Sequence, residues 1–189
     1  MADPEKARVA ARAKGTESAK ASAGPRATAG KGAANTARPD KWRFRIAAFA
    51  IIEREGLVLL ARRRDIGWWN LPGGGLESGE TVDEGLLREV REEVCAAVRV
   101  VRLVGVYSKP QKNEVVLTFL CHLDHGQEAA IGISDEVSET GWFPPDALPA
   151  DLLPKHRQRV LDAFAGQLTP IMRAQRSSTE EDQKLTPAS

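Results

Sequence analysis

Three glutamates, Glu89, Glu92 and Glu93, stand at i, i+3 and i+4 of the stretch TVDEGLLREVREEV, Thr81 to Val94. At a helical step of about 100° per residue, the three fall within about 100° of one another. Leu86, Leu87, Val90 and Val94 gather on a neighbouring sector, so one face packs and the next is anionic. Like charges at this spacing repel by a few tenths of a kcal/mol per pair. A divalent cation removes that cost, and hard oxygen ligands of this kind suit Mg2+ or Mn2+. Gly85 lies on the carboxylate face one turn earlier, where a missing side chain would leave space above a metal. Glutamate pairs also describe a merely solvated helix face, so the company they keep must decide.

The helix itself is well signalled. Thr81 is an N-cap with Glu84 three residues on, the pattern of a capping box. Before it, WRFRIAAFAIIE opens at Trp42 with apolar/charged alternation and becomes continuously apolar, as a strand covered on both faces would. The turn Glu53-Arg54-Glu55-Gly56 and the run Leu57 to Leu60 make a hairpin that ends in Arg62-Arg63-Arg64. A loop rich in Gly and Trp, IGWWNLPGGGLESGE, then leads to the helix. Val98 to Val106 and Val115 to Leu123 read as strands around a polar turn at Pro110 to Asn113. Trp142-Phe143 marks a short strand stopped by two prolines, and a last helix is expected from Lys155 to Ala165. Strands before, between and after two helices, with hairpins among them, predict an α/β fold: a three-layer α/β/α sandwich with a mixed sheet.

Composition sets the limits of that domain. The chain has 189 residues and a net charge of +1, but the charge is unevenly spread. Residues 1–40 hold 13 alanines, no aromatic, and 8 basic against 4 acidic side chains, the composition of a disordered basic arm. Residues 166–189 also lack aromatics and read as a polar, disordered tail. Residues 41–165 remain, with 16 basic and 19 acidic groups, enough for one hydrophobic core. An acidic core disfavours a uniformly cationic nucleic-acid binder. Two cysteines, Cys95 and Cys121, fit a reducing compartment, and the longest purely apolar run, Ile46 to Ile52, is too short for a membrane span. The N-terminus lacks an apolar signal core, and Asp3, Glu5 and Glu17 argue against a transit peptide, so the expected location is cytoplasmic.

Read forward from Gly74, five residues precede Glu80, and seven more precede Arg88-Glu89-Val90-Arg91-Glu92-Glu93-Val94-Cys95-Ala96. This resembles the Nudix box, G-x5-E-x7-R-E-U-x-E-E-x-G-U, with U a bulky aliphatic residue. Cys95 stands in place of the late glycine and Ala96 at the last aliphatic position, which predicts a different helix exit or a helix that runs on. Trp69-Asn70-Leu71-Pro72-Gly73-Gly74 and Ser134 to Phe143 resemble the family's approach loop and its later acidic loop, so most of Trp42 to Ala165 is covered.

The resemblance implies a Nudix-type sandwich and a hydrolase that attacks, with water, the pyrophosphate of a nucleoside diphosphate linked to another moiety. It implies Glu89, Glu92, Glu93 and the Gly73 carbonyl as ligands of Mg2+, with Mn2+ as substitute, and Arg88 as the residue that orients an acidic side chain. The general base implied is Glu92 or Glu93, or Glu136 or Glu139 from the acidic loop. Arg62, Trp69 and Glu136 are substrate candidates; Trp68 and Tyr107 serve equally as stacking or packing residues. His122 and His125, on opposite sides of a strand, make no metal pair. A nucleotide-type small molecule is the expected partner, no membrane is involved, and a homodimer stays open. Two rival readings are a nucleotide-sensing or protein-binding module without turnover, and an RNA 5′-end pyrophosphohydrolase whose basic arm holds the polynucleotide.

Overall fold

The computed structural model describes residues 43–128 and 130–177, with Glu181 and Lys184 beyond them. The basic arm and Trp42 lie outside the described residues. The apolar run after Arg45 becomes the central strand β1 (Arg45–Arg54), buried on both faces as its pattern requires. Glu55 and Gly56, both with positive φ, turn it into β2 (Leu57–Arg63), an antiparallel neighbour. The glycine-rich loop contributes two short strands, β3 (Trp69–Asn70) beside β2 and β4 (Gly73–Gly75) beside β1. Helix α1 (Val82–Val94) follows, then the hairpin β5 (Val98–Lys109) and β6 (Glu114–Leu123). Last come β7 (Val137–Phe143), α2 (Pro154–Phe164) and β8 (Ile171–Ala174).

Among the described residues the strands form one mixed sheet in the order β3-β2-β1-β6-β5-β8, with β4 alongside β1 and β7 alongside β2. The β1–β6 and β5–β8 pairs are parallel and the other ladders antiparallel. Alternation along β1 and β2 divides the core. Ala48, Ala50, Ile52, Leu59 and Ala61 face Leu86, Val90 and Val94 of α1. Ile51, Val58 and Leu60 face Val160 and Ala163 of α2. The helices thus cover opposite faces, giving the α/β/α sandwich. No helix among the described residues is long and apolar enough to cross a membrane.

One boundary is corrected. A tail was expected from Gly166, yet Ile171–Ala174 pairs in parallel with Gly105–Ser108 at the edge of the sheet. Gly105 allows this, because a Cβ there would sit 2.7 Å from the Ile171 carbonyl oxygen. Gln175 then inserts, 8% exposed, and bonds Arg159 and the Lys155 carbonyl.

Candidate active site

Helix α1 carries the acidic cluster and is fixed at both ends. Thr81 Oγ1 accepts the Glu84 amide while the Glu84 carboxylate accepts the Thr81 amide, closing the capping box. At the other end, Cys95 itself takes the left-handed conformation, φ 59°, and its N–H caps the Arg91 carbonyl. The helix therefore stops where a glycine would stop it, and neither the altered exit nor the run-on expected from Cys95 occurs.

Arg88 is the hub of the surface that α1 presents to β4. Its Nε and Nη2 grip the Glu80 carboxylate at 2.6 and 3.0 Å, and Nη1 reaches Glu89 and Glu92, each at 3.0 Å. Nη2 also donates to the Gly75 carbonyl. This guanidinium, with the Glu77 amide, holds Glu80 far below the usual carboxylate range, at about 2. Two glycines make room. A Cβ on Gly74 would lie 2.7–2.8 Å from the Glu89 carboxyl group, and one on Gly85 would lie 2.9 Å from Glu80 Oε2. The space at Gly85 is therefore filled by Glu80, which corrects the expectation that it opens above a metal.

Glu93 is the buried member of the set, 7% exposed. One carboxylate oxygen accepts the Gly73 N–H at 2.8 Å. Burial pushes its pKa up to about 8, and the charges of Glu89 and Glu136 push in the same direction against the opposing pull of the Gly73 bond and Arg63. Glu89 is raised as well, chiefly by burial. Gly73 thus meets the cluster through its amide N–H.

The acidic loop divides. Glu136 lies close enough for its charge to act on Glu89, Glu93 and Arg63. With Arg63, Arg64, Asp65 and Asp135 it lines a cavity of about 310 Å3. Glu139 is on the other side of the sheet: it pairs across strands with Arg62 and bridges to it at 3.2 Å, beside the α2 core. Its place among the candidate bases is corrected accordingly. The two substrate candidates Arg62 and Trp69 are corrected for the same reason. Arg62 bridges Asp151 at 2.9 Å and covers the Trp69 ring, which is 4% exposed and meets Phe143 edge-on. Tyr107 is fully buried and packs rather than stacks, while His122 bridges Glu53 and His125 lies in the turn beyond β6. Sequence reasoning did not separate Arg63 from its neighbours. Strand parity would have done so, since Arg63 follows Ala61 on the α1 face.

A groove of about 1040 Å3 runs past Gly75 and Glu80 between Arg43, Phe44 and Arg45, and Phe44 is 60% exposed. Among the described residues, no three acidic, histidine or cysteine side chains converge on one point; Arg88 engages Glu89 and Glu92. What the arrangement offers is concentrated negative charge on oxygen donors at a glycine loop, flanked by basic side chains.

Comparison with known proteins agrees with this geometry. Residues 43–164 match the NUDIX domain. A MutT-like protein of Streptomyces ambofaciens is 37% identical over 119 residues, 63% of this chain and 75% of that one. An ADP-ribose pyrophosphatase of Methanocaldococcus jannaschii is 33% identical over 111 residues, 55% of this chain and 64% of that one. The crystal structure of a NUDIX hydrolase from Nitrosomonas europaea aligns with a TM-score of 0.63 at 26% identity, covering 72% of this chain and 81% of that one. By its domain match, its relatives and its fold, the chain belongs to the Nudix hydrolase family.

Proposed function

We propose that the protein is a Mg2+-dependent nucleotide pyrophosphohydrolase, cleaving the diphosphate of a nucleoside diphosphate linked to another moiety. The observation that carries this reading is Glu93, a carboxylate buried at the glycine loop with one backbone N–H for a partner, whose pKa is pushed up to about 8 first by burial and then by the charges of Glu89 and Glu136. The donor set fits a hard divalent cation, because every candidate is an oxygen. Glu89, Glu92 and Glu93, together with the Gly73 carbonyl, would hold Mg2+ or, in its place, Mn2+. Bound there, the cation supplies charge neutralisation of the diphosphate and a more acidic water.

The chain's own residues do the rest. Arg88 orients Glu80, Glu89 and Glu92 through four charge-assisted bonds, so its role is positioning. Glu136, on the exposed acidic loop, is the candidate to accept the proton of the attacking water, with Glu92 the alternative. Arg63, whose guanidinium bonds the Asp65 carboxylate, flanks the same cavity and would meet phosphate oxygens there. The exposed Phe44 ring and the arginines around it offer a stacking and phosphate-binding groove for a small nucleotide. A cytoplasmic location suits such a substrate.

The test is turnover by the purified chain with Mg2+ or Mn2+ against ADP-ribose, dinucleoside polyphosphates, nucleoside triphosphates, nucleotide sugars and 5′-triphosphorylated RNA. Turnover of at least one, lowered on the order of 10²–10³-fold in Glu93→Gln, is expected. Activity undiminished by this change overturns the metal assignment, and binding without turnover across the whole panel favours a sensor.

A further inference from the structure

Arg64 follows β2 and has no part in the chemistry above, yet it is bonded to every residue of the turn that carries Glu136. Its backbone N–H donates to the Glu136 carbonyl at 2.8 Å. Its guanidinium donates from Nε to the Asp135 carbonyl at 3.2 Å, and from Nη2 to the carbonyls of Ser134 at 3.1 Å and Val137 at 3.2 Å. Four consecutive carbonyls, 134 to 137, thus accept from one residue. The turn is closed from within by Ser134, whose Oγ accepts the N–H groups of Glu136 and Val137.

The register beside this turn is equally particular. On β7, Glu139 pairs with Arg62, but Val137 pairs with Arg63, so Ser138 is an extra residue. Its hydroxyl donates to the Arg62 carbonyl at 3.2 Å. Such a bulge re-aims the side chains beyond it. Glu139 stays with the α2 face, Val137 enters the α1 core, and the turn emerges on the side of Glu89 and Glu93.

We infer that Arg64 is a positioning residue: by gathering the carbonyls of residues 134–137 it holds the Glu136 carboxylate beside Glu89 and Glu93. The planar fork suits this task, since its Nε and Nη2 donors are held at fixed angles, whereas the three donors of an ammonium rotate about a single nitrogen. The inference rests on the proposed cation-binding role of the acidic cluster and extends it to the residue that completes the cluster from a separate loop. A clasp serving only stability would bond the turn in the same way but leave the cluster's affinity for cations unchanged.

Mn2+ binding to the full chain, followed by the EPR signal of free Mn2+, separates these cases without any substrate. Glu136→Gln and Arg64→Ala are each expected to weaken Mn2+ binding on the order of tenfold, as loss of a supporting partner typically does. The double variant should bind no more weakly than either single one, because Arg64 acts through Glu136. Arg64→Lys, which keeps the charge and loses the fork, should match Arg64→Ala, and it carries the test if Arg64→Ala does not fold by circular dichroism. Turnover of the nucleotide favoured in the panel should show the same pattern in kcat, with KM changed less. Unchanged Mn2+ affinity in the Arg64 variants beside a weakened Glu136→Gln overturns the inference and leaves the cluster reading intact. Losses that multiply in the double variant also overturn it. Unchanged affinity in Glu136→Gln, with Glu93→Gln weakened, removes Glu136 from the cluster and the inference with it; unchanged affinity in both variants removes the cluster reading itself.

Discussion

Two carboxylates lie almost equally deep on opposite faces of the sheet, Glu93 under α1 at 7% exposure and Asp162 on α2 at 4%. Asp162 is surrounded by donors: the Tyr107 hydroxyl at 3.0 Å, both prongs of Arg173 at 2.9 Å and Gln158 at 3.0 Å. Nearby His156 accepts the Leu71 amide, and burial among cations holds it neutral, well below the usual histidine range. Glu93 has one backbone N–H and two acidic neighbours. Buried charge is tolerated when its partners come with it. Asp162 thus finds its donors within the fold, while Glu93 has acidic neighbours that, in the proposed reading, a cation would offset.

That contrast can be broken most sharply by exchanging the two acids for their amides. Glu93→Gln should cost on the order of 10²–10³-fold in kcat, the scale of losing one electrostatic partner at a reacting centre, while Asp162→Asn leaves kcat within about threefold. If Asp162→Asn costs as much, the α2 network belongs to the site. Stability should divide the other way. Asp162→Ala leaves the buried Tyr107 hydroxyl without its acceptor and should lower unfolding free energy by about 2–4 kcal/mol in urea denaturation.

The pH dependence follows from the same asymmetry. A carboxyl group held near 8 when folded, and near its ordinary value of 4.5 when unfolded, binds its proton more tightly in the folded chain. Its contribution to stability is full below pH 4.5 and is lost as pH rises through about 8. Metal-free protein should therefore lose up to a few kcal/mol over that window, and Glu93→Gln should flatten the slope. A slope that persists in the variant would assign it to another group. Saturating Mg2+ should flatten it too, the cation replacing the proton.

Smaller effects sharpen the local picture. Gly74→Ala places a methyl group against the Glu89 carboxylate and should lower kcat about tenfold, as disturbing a supporting contact does, with the melting temperature nearly unchanged. Cys95→Gly relieves a side chain from the left-handed region and should raise stability by about 1 kcal/mol. A loss of stability there would mean that the Cys95 contact with the Ile133 carbonyl outweighs the strain.

How much of this was legible in the sequence depended on whether the deciding forces were local. Helix α1 was readable because Thr81, Glu84 and the apolar spacing are contained within its own stretch. The hairpins and the two-faced core followed from period and turn chemistry. Strand β4 was not readable, because Gly73–Gly75 has no strand propensity and is held by its pairing with β1. Strand β8 depends on Gly105, far away in the chain. Among the candidate site residues, Glu89, Glu92 and Glu93 were visible from helical geometry, and Arg88 from the resemblance to the Nudix box. Separating Glu136 from Glu139 depended on a single bulge at Ser138, a tertiary event with no signature in the strand, whereas Arg63 and Arg62 part by the plain alternation of β2.

The order of the sheet also bears on how the chain reaches this state. Arg45 must find Glu114 in parallel, and Val58 must find Phe143, before the central strands are complete. Pairings between residues so distant in sequence lose loop entropy before they gain contacts, which slows such folds relative to helical bundles of local contacts. Helix α1 and the first hairpin can form early, but the acidic turn joins them only when β7 docks on β2. The glutamates of the helix are a local group of one segment, whereas Glu136 reaches their side of the sheet only through the long-range pairing of β7 with β2.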